Sequence, residues 1–203
     1  MHMTEPKVEP RLLVTCFAPF GGETVNASQL AVEALPDRIG PWILCKRDLP
    51  VAFCSAGEEA VALAEALQVQ AVLAVGQAAG RSAVTPETGA RNLQQARIPD
   101  NNGAQPQGTS VLPGGPETLP ATLPVENMVR AMARAGVPAA LSHSAGTYVC
   151  NDLYYRLLHR FAGTRVQAAF VHVPVTPAQG SPSLDTETVV RGLTAAILAL
   201  EPN

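Results

Sequence analysis

The stretch SAGEEAVALAEALQVQAVLAVG, residues 55–76, carries two hydrophobic periodicities in succession, and its reading decides the fold class. Ala56, Ala60, Leu63 and Leu67 recur at helical spacing, and Ser55 before them is of a type that caps helix N-termini. Residues 71–75, AVLAV, then make an unbroken apolar run of strand length ending at Gly76. A strand that is apolar on both faces needs cover on both, so the pair predicts a helix lying against a buried sheet.

The same alternation continues outward. Upstream, RLLVTCF (11–17) and 42–49 read as strands, and between them 26–35 reads as a helix with Leu30, Ala31, Ala34 and Leu35 on one face. Downstream, Val125, Met128, Val129 and Met132 mark a helix closed by Gly136, and 139–142 reads as a strand. Residues 148–160 read as a helix with Val149, Leu153 and Leu157 at four-residue intervals, and 166–173 as the last strand. Val189, Leu193, Ile197 and Leu200 mark a C-terminal helix. The expected fold is therefore α/β: a single domain over 11–203 with a twisted, mainly parallel or mixed sheet and helices on both faces. Residues 1–10 are expected to be a disordered or tag-derived tail, Met1-His2-Met3 having the look of a cloning scar. From 77 to about 124 the pattern gives way to prolines and turn dipeptides, with a short hairpin expected near 91–97 and a long excursion at 104–123. Val111, Leu112 and Leu119 in that excursion read as exposed apolar residues and suggest a subunit contact.

Composition narrows the function. The 203 residues are 47% hydrophobic and 15% charged, with a net charge of −3 and no basic block, which argues against nucleic acid or an anionic membrane surface as partner. The apolar runs are too short to span a bilayer, and the first residues lack the apolar core of a signal peptide. Cys16, Cys45, Cys54 and Cys150 show no metal-type spacing and are too few for a secreted disulfide scaffold. A reducing cytoplasm is expected, with no metal and no cofactor.

In such a sheet the reactive groups gather at the carboxyl ends of strands, which here means 17–22, 76–81, 142–150 and 172–174. Cys150 follows one of these ends at the start of a helix, where unpaired N–H groups and the helix dipole favour a thiolate and offer donors to an oxyanion. A cysteine on an apolar helix face is more often a small core residue. His172, in FVHVP (170–174), is at another strand end, where a buried imidazole needs partners. Alone it would read as a core histidine; beside a helix-start cysteine it reads as the base of a Cys–His dyad. His143 precedes the nucleophile loop and is a candidate supporting group, whereas His159 lies late in a helix. Glu87 is the acid best placed to orient the imidazole, with Asp100 and Asp152 as rivals; in the bland reading it is a solvated loop carboxylate. Arg97 is the expected cation beside them, pairing with an acid or helping an oxyanion, unless it is a surface arginine. Phe17 and Phe20, two of only five phenylalanines, can hold a flat ring, and Gln77 can offer an amide to it. Residues 76–80, GQAAG, match phosphate loops poorly and lack their lysine.

Together FAPFGGETVNAS (17–28), VGQAAGR (75–81), Glu87, ARIPDNNG (96–103), SAGTYVCN (144–151) and FVHVP (170–174) resemble the pyroglutamyl peptidase I, or pyrrolidone carboxyl peptidase, family of cysteine peptidases. The motifs run in family order and cover about residues 11–180. The resemblance implies an α/β sheet flanked by helices and a triad of Cys150, His172 and Glu87. It also implies a pyroglutamate pocket with Phe17, Phe20 and Tyr148 as walls, Gln77 as hydrogen-bonding group, and Asn26 and Arg97 nearby. The implied reaction is hydrolysis after an N-terminal pyroglutamyl residue, without metal or cofactor, by a cytoplasmic homo-oligomer, a dimer or tetramer. Another small amide or lactam as substrate, or an idle binding protein of the same fold, are the alternatives. The chain departs from the family at Cys16 (usually glycine), His143-Ser144 (usually asparagine-threonine) and 88–91.

Overall fold

In the computed structural model, which describes residues 9–202, strands and helices alternate. β1 (Arg11–Phe17) leads to α1 (Ala27–Ala34), capped by Asn26, whose side chain accepts from the Ser28 N–H. The two-residue β2 (Arg38–Ile39) precedes β3 (Trp42–Leu49), α2 (Ser55–Ala66) and β4 (Ala71–Gln77). Five short strands follow: β5 (Thr85–Pro86), β6 (Gly89–Arg91), β7 (Gln94–Gln95), β8 (Gln107–Thr109) and β9 (Thr118–Pro120). Then come α3 (Val125–Arg134), α4 (Val149–Arg160), β10 (Gln167–Val173) and α5 (Thr186–Leu198).

The main sheet has the order β2-β3-β1-β4-β10-β5. Its four central strands are parallel, and its two edge strands are antiparallel to their neighbours. The period-2 alternation of side chains divides the core in two. On one face Leu12, Val14, Leu73, Val75, Val171 and Val173 meet α1, α3 and α5; on the other Leu13, Val72, Ala74, Ala168 and Phe170 meet α2 and α4. The α/β expectation holds, with helices on both faces of a mixed sheet. Among the described residues no helix is long and apolar enough to cross a membrane.

Several local expectations are corrected. The N-cap of α2 is Cys54, not Ser55; its backbone has φ 63°, and its N–H donates to Asp152 Oδ2 at 2.9 Å. A contact from α4, invisible to local propensity, sets that boundary. The buried residues of α2 are Ala56, Gly57, Ala60 and Ala64, with Leu63 and Leu67 at the flank, because small residues let α2 approach α4 closely. No hairpin forms at 91–97. Instead β6 pairs with β9 and β7 with β8, two antiparallel ribbons closed over long range.

Residues 139–142 form two isolated parallel bridges, Val84 to Ala139 and Glu87 to Ser142, rather than a strand. The bonds Val84 N–H to Pro138 O, Ala140 N–H to Val84 O and Ser142 N–H to Pro86 O keep ladder spacing. The bond due between the second and third of these would come from Pro86, which has no N–H to give, so the ladder skips it and resumes with Thr88 N–H to Ser142 O. In the 104–123 excursion Val111 is buried and Leu112 and Leu119 are half-buried against the α4-side core, so none of the three stands exposed as expected. Asn92 bonds to Leu112 and Gly115, and Tyr155 to Pro116, holding the segment down. Of the expected tail, residues 1–8 lie outside the described residues, while Glu9 pairs with Arg38 at 2.6 Å and the Pro10 carbonyl accepts from Ile43.

Candidate active site

Side-chain alternation along β10 puts His172 on the same face as Ala168 and Phe170, the face covered by α4. The register pairs His172 with Gly76 of β4. Cys150 is the second residue of α4, and its Sγ lies 3.1 Å from where a Cβ on Gly76 would sit. The same Cβ would come within 2.7 Å of Phe170 Cζ, so glycine is required at 76 for the helix carrying Cys150 to reach the sheet. Cys150 and His172 line one cavity of about 150 Å³ with Phe17, Phe20, Asn26, Val51, Gln77 and Tyr148.

Glu87 is 0% exposed and its Oε1 is 2.7 Å from His172 Nδ1, which overturns the bland reading of a solvated loop carboxylate. It follows β5, which pairs with β10 at the sheet edge, and the Glu87 N–H donates to the Phe170 carbonyl. The rival acids are occupied elsewhere. Asp100 accepts from the Phe53, Asn102 and Ala104 N–H groups, and Asp152 from Cys54, Gln94 and Arg156.

The cation beside Glu87 is Arg81, at 2.8 Å, not Arg97. Arg81 also donates to Thr85 Oγ1 and to the Ser144 carbonyl at 3.3 Å. Arg97 is exposed and lines a separate, larger cavity with Phe20 and Tyr148. Sequence reasoning quoted Arg81 inside a motif without assigning it a partner, because the pairing closes only when the chain folds back to Glu87.

Three ionisable groups respond to this burial. Burial would raise the Glu87 carboxyl, but the hydrogen bond and charge of His172 and the Arg81 charge hold it below the ordinary range. Burial lowers the His172 imidazole; the Glu87 hydrogen bond and charge oppose this, Arg81 adds to it, and the imidazole stays below its ordinary value. A neutral imidazole next to an ionised carboxylate carries its proton on Nδ1 and leaves Nε2 as a base. Burial pushes the Cys150 thiol up to about 12, and the Glu87 charge acts in the same direction. Arg81 and the backbone N–H of Cys150 offset only part of that rise. Desolvation thus works against the thiolate expected at a helix start and favours a neutral thiol.

The remaining expected site residues fall in two groups. Phe17, Phe20, Tyr148, Gln77 and Asn26 all line the Cys150 cavity. Phe20 and Tyr148 stand with ring centroids 6.3 Å apart, and Phe53 meets Tyr148 edge-on at 5.2 Å. Gln77 Oε1 accepts from the Ala27 N–H at 2.7 Å and from Gln179 Nε2 at 3.0 Å. Gln179, on the turn after β10, thus fixes the amide of Gln77, and no spacing signal marked it. Asn26 is buried and serves as the α1 cap while donating to the Ala18 carbonyl. His143 is exposed with Nδ1 3.1 Å from Thr88 Oγ1, away from this cavity. Cys16 turns to the opposite face of the sheet, where its Sγ donates to Asp48 Oδ1 at 2.8 Å. Burial and that carboxylate push the Cys16 thiol far up, so it stays neutral.

The chain is similar along nearly its whole length to proteins of one family. The model of the family described as pyroglutamyl peptidase matches residues 10–202. The pyrrolidone-carboxylate peptidase of Cupriavidus necator is 44% identical over 195 residues, covering 92% of this chain and 90% of that one. The enzyme of that name from Levilactobacillus brevis is 43% identical, covering 94% and 97%. The crystal structure of Bacillus amyloliquefaciens pyroglutamyl peptidase I superposes with a TM-score of 0.90 at 35% identity, covering 94% of this chain and 96% of that one. The pyrrolidone carboxyl peptidase of Thermococcus litoralis gives 0.88 at 33%, covering 94% and 92%. With a family match running nearly end to end and relatives far above 30% identity, this chain belongs to the pyroglutamyl peptidase family.

Proposed function

We propose that the chain is a cysteine peptidase that hydrolyses the bond after an N-terminal pyroglutamyl residue and releases pyroglutamate. The observation that carries this reading is the buried Glu87–His172 pair opening onto the same small aromatic cavity as Cys150. The lactam ring lies between Phe17, Phe20 and Tyr148. Gln77, whose Oε1 is already occupied, offers its Nε2 to the ring carbonyl.

Because the thiol rests neutral, proton transfer accompanies attack. His172 Nε2 takes the proton as Cys150 Sγ bonds to the scissile carbonyl carbon. Glu87 accepts from Nδ1–H throughout and stabilises the imidazolium. The negative oxygen is held by N–H groups in the first turn of α4, whose N-cap Tyr148 supplies no side-chain acceptor for them. The C–N bond then breaks, and His172 gives its proton to the leaving amine. Water, deprotonated by His172, attacks the thioester, freeing pyroglutamate and restoring the thiol.

No step calls on a metal or cofactor. A peptidase that works through a free thiol suits a reducing cytoplasm, and all four cysteines are free. The net charge of −3 without a basic block disfavours nucleic acid and membrane surfaces as partners. A homo-oligomer, dimer or tetramer, is proposed on family likeness alone, and light scattering reads it directly.

The test is chromatographic. Incubation with a pyroglutamyl peptide should release free pyroglutamate, while the prolyl counterpart, lacking the ring carbonyl, should react far more slowly because the buried donor loses its partner. Equal rates for the two would overturn the reading.

A further inference from the structure

The cavity next to that of Cys150 has a volume of about 500 Å³ and is lined by Phe20, Gln95, Arg97, Ile98, Thr147 and Tyr148 among others. Phe20 and Tyr148 belong to both cavities, so one opens beside the other across a shared aromatic wall. The smaller cavity, about 150 Å³, is on the scale of a single small ring. Whatever follows the scissile bond must lie outside it.

The larger cavity is built rather than incidental. The Gln95 N–H donates to the Thr147 carbonyl and Thr147 Oγ1 donates to the Gln95 carbonyl, both at 2.9 Å, tying β7 to the loop that leads into α4. Tyr148 Oη donates to the Pro99 carbonyl at 3.0 Å, and Gln105 Nε2 to the Arg97 carbonyl at 3.0 Å. The backbone carrying Arg97 is thus held from both sides. Its guanidinium makes no ion pair among the described residues. Beside it Ile98 is 49% exposed, one of two large apolar side chains left so open among the described residues. An unpaired guanidinium next to an exposed apolar side chain complements an amino acid with an apolar side chain and a free carboxylate.

We infer that this cavity is the subsite for the residue after the scissile bond, and that Arg97 reads a free C-terminal carboxylate there, favouring pyroglutamyl dipeptides. The inference rests on the proposed function and adds a preference for chain length. An exposed guanidinium–carboxylate pair is worth about a fivefold preference and weakens with salt.

The experiment compares kcat/KM for pyroglutamyl-alanine and pyroglutamyl-alanine amide in the wild type, Arg97→Met and Arg97→Lys, with a pyroglutamyl coumarin amide as carboxylate-free reference. The expected result is that the wild type favours the free acid, mainly through KM, that Arg97→Met brings the ratio to about one, and that Arg97→Lys keeps part of it. A ratio near one in the wild type, or one unchanged in Arg97→Met, overturns the inference while turnover of the reference leaves the peptidase reading intact. No turnover of any of the three by the wild type overturns both.

Discussion

Arg81 joins the two halves of the site. Its guanidinium reaches Glu87 on one side and, on the other, the Ser144 carbonyl in the loop before Cys150. His172 accepts a proton only when neutral, so the acid limb of kcat/KM follows its pKa, which burial holds below the ordinary value. Arg81 contributes to that lowering, and its positive charge also lowers the Cys150 thiol. In Arg81→Met the limb should therefore move to higher pH and kcat should fall by about tenfold or more, read as a pH profile between about pH 5 and 8. A loss of amplitude with no shift of the limb would show that Arg81 only supports the fold. Of the proposed triad, Cys150 and His172 stood out in the sequence, each at a helix or strand end, whereas Glu87 was set apart from Asp100 and Asp152 only by the family resemblance. Arg81 and Gln179 did not stand out, because each acquires its meaning from a partner far along the chain.

The elements divide along the same line. β1, β4 and β10 were readable to within a residue or two because strands buried on both faces leave largely apolar runs, whereas β3 showed itself by its apolar start alone and runs on through Lys46, Arg47 and Asp48. The short strands between residues 85 and 120 leave no such mark. Side chains of α4 hold them in place, Asn151 above all: it lies next to Cys150, its Oδ1 accepts from the Arg91 N–H, and its Nδ2 donates to the Arg91 and Leu93 carbonyls. Asn151 is fully buried, so Asn151→Ala strips three backbone groups of their partner. A destabilisation of about 2–4 kcal/mol is expected, seen as a lower urea midpoint at unchanged slope. A midpoint within about 0.5 kcal/mol of the wild type would mean that the β6–β9 and β7–β8 ribbons stand without α4. The positive φ of Cys54 belongs to the same class, set by a tertiary contact from Asp152 that overrides local pattern.

Across the whole molecule, the sheet separates its two faces by task. The α1, α3 and α5 face is apolar packing, and it also takes in Cys16. The α2 and α4 face is packed as tightly, but at its carboxyl edge it gives way to Cys150, His172 and the aromatic cavity. Fold class and site location followed from where the apolar runs end. The protonation state of the nucleophile did not, because desolvation of sulfur depends on how closely α4 meets Gly76. The account depends on the half-buried Cys150 thiol becoming the attacking group. Turnover of a pyroglutamyl coumarin amide by the wild type and by Cys150→Ser, both checked for native folding by circular dichroism, tests it most directly. A loss of at least about a thousandfold in kcat for Cys150→Ser is predicted; retention of wild-type turnover in that variant would contradict the account.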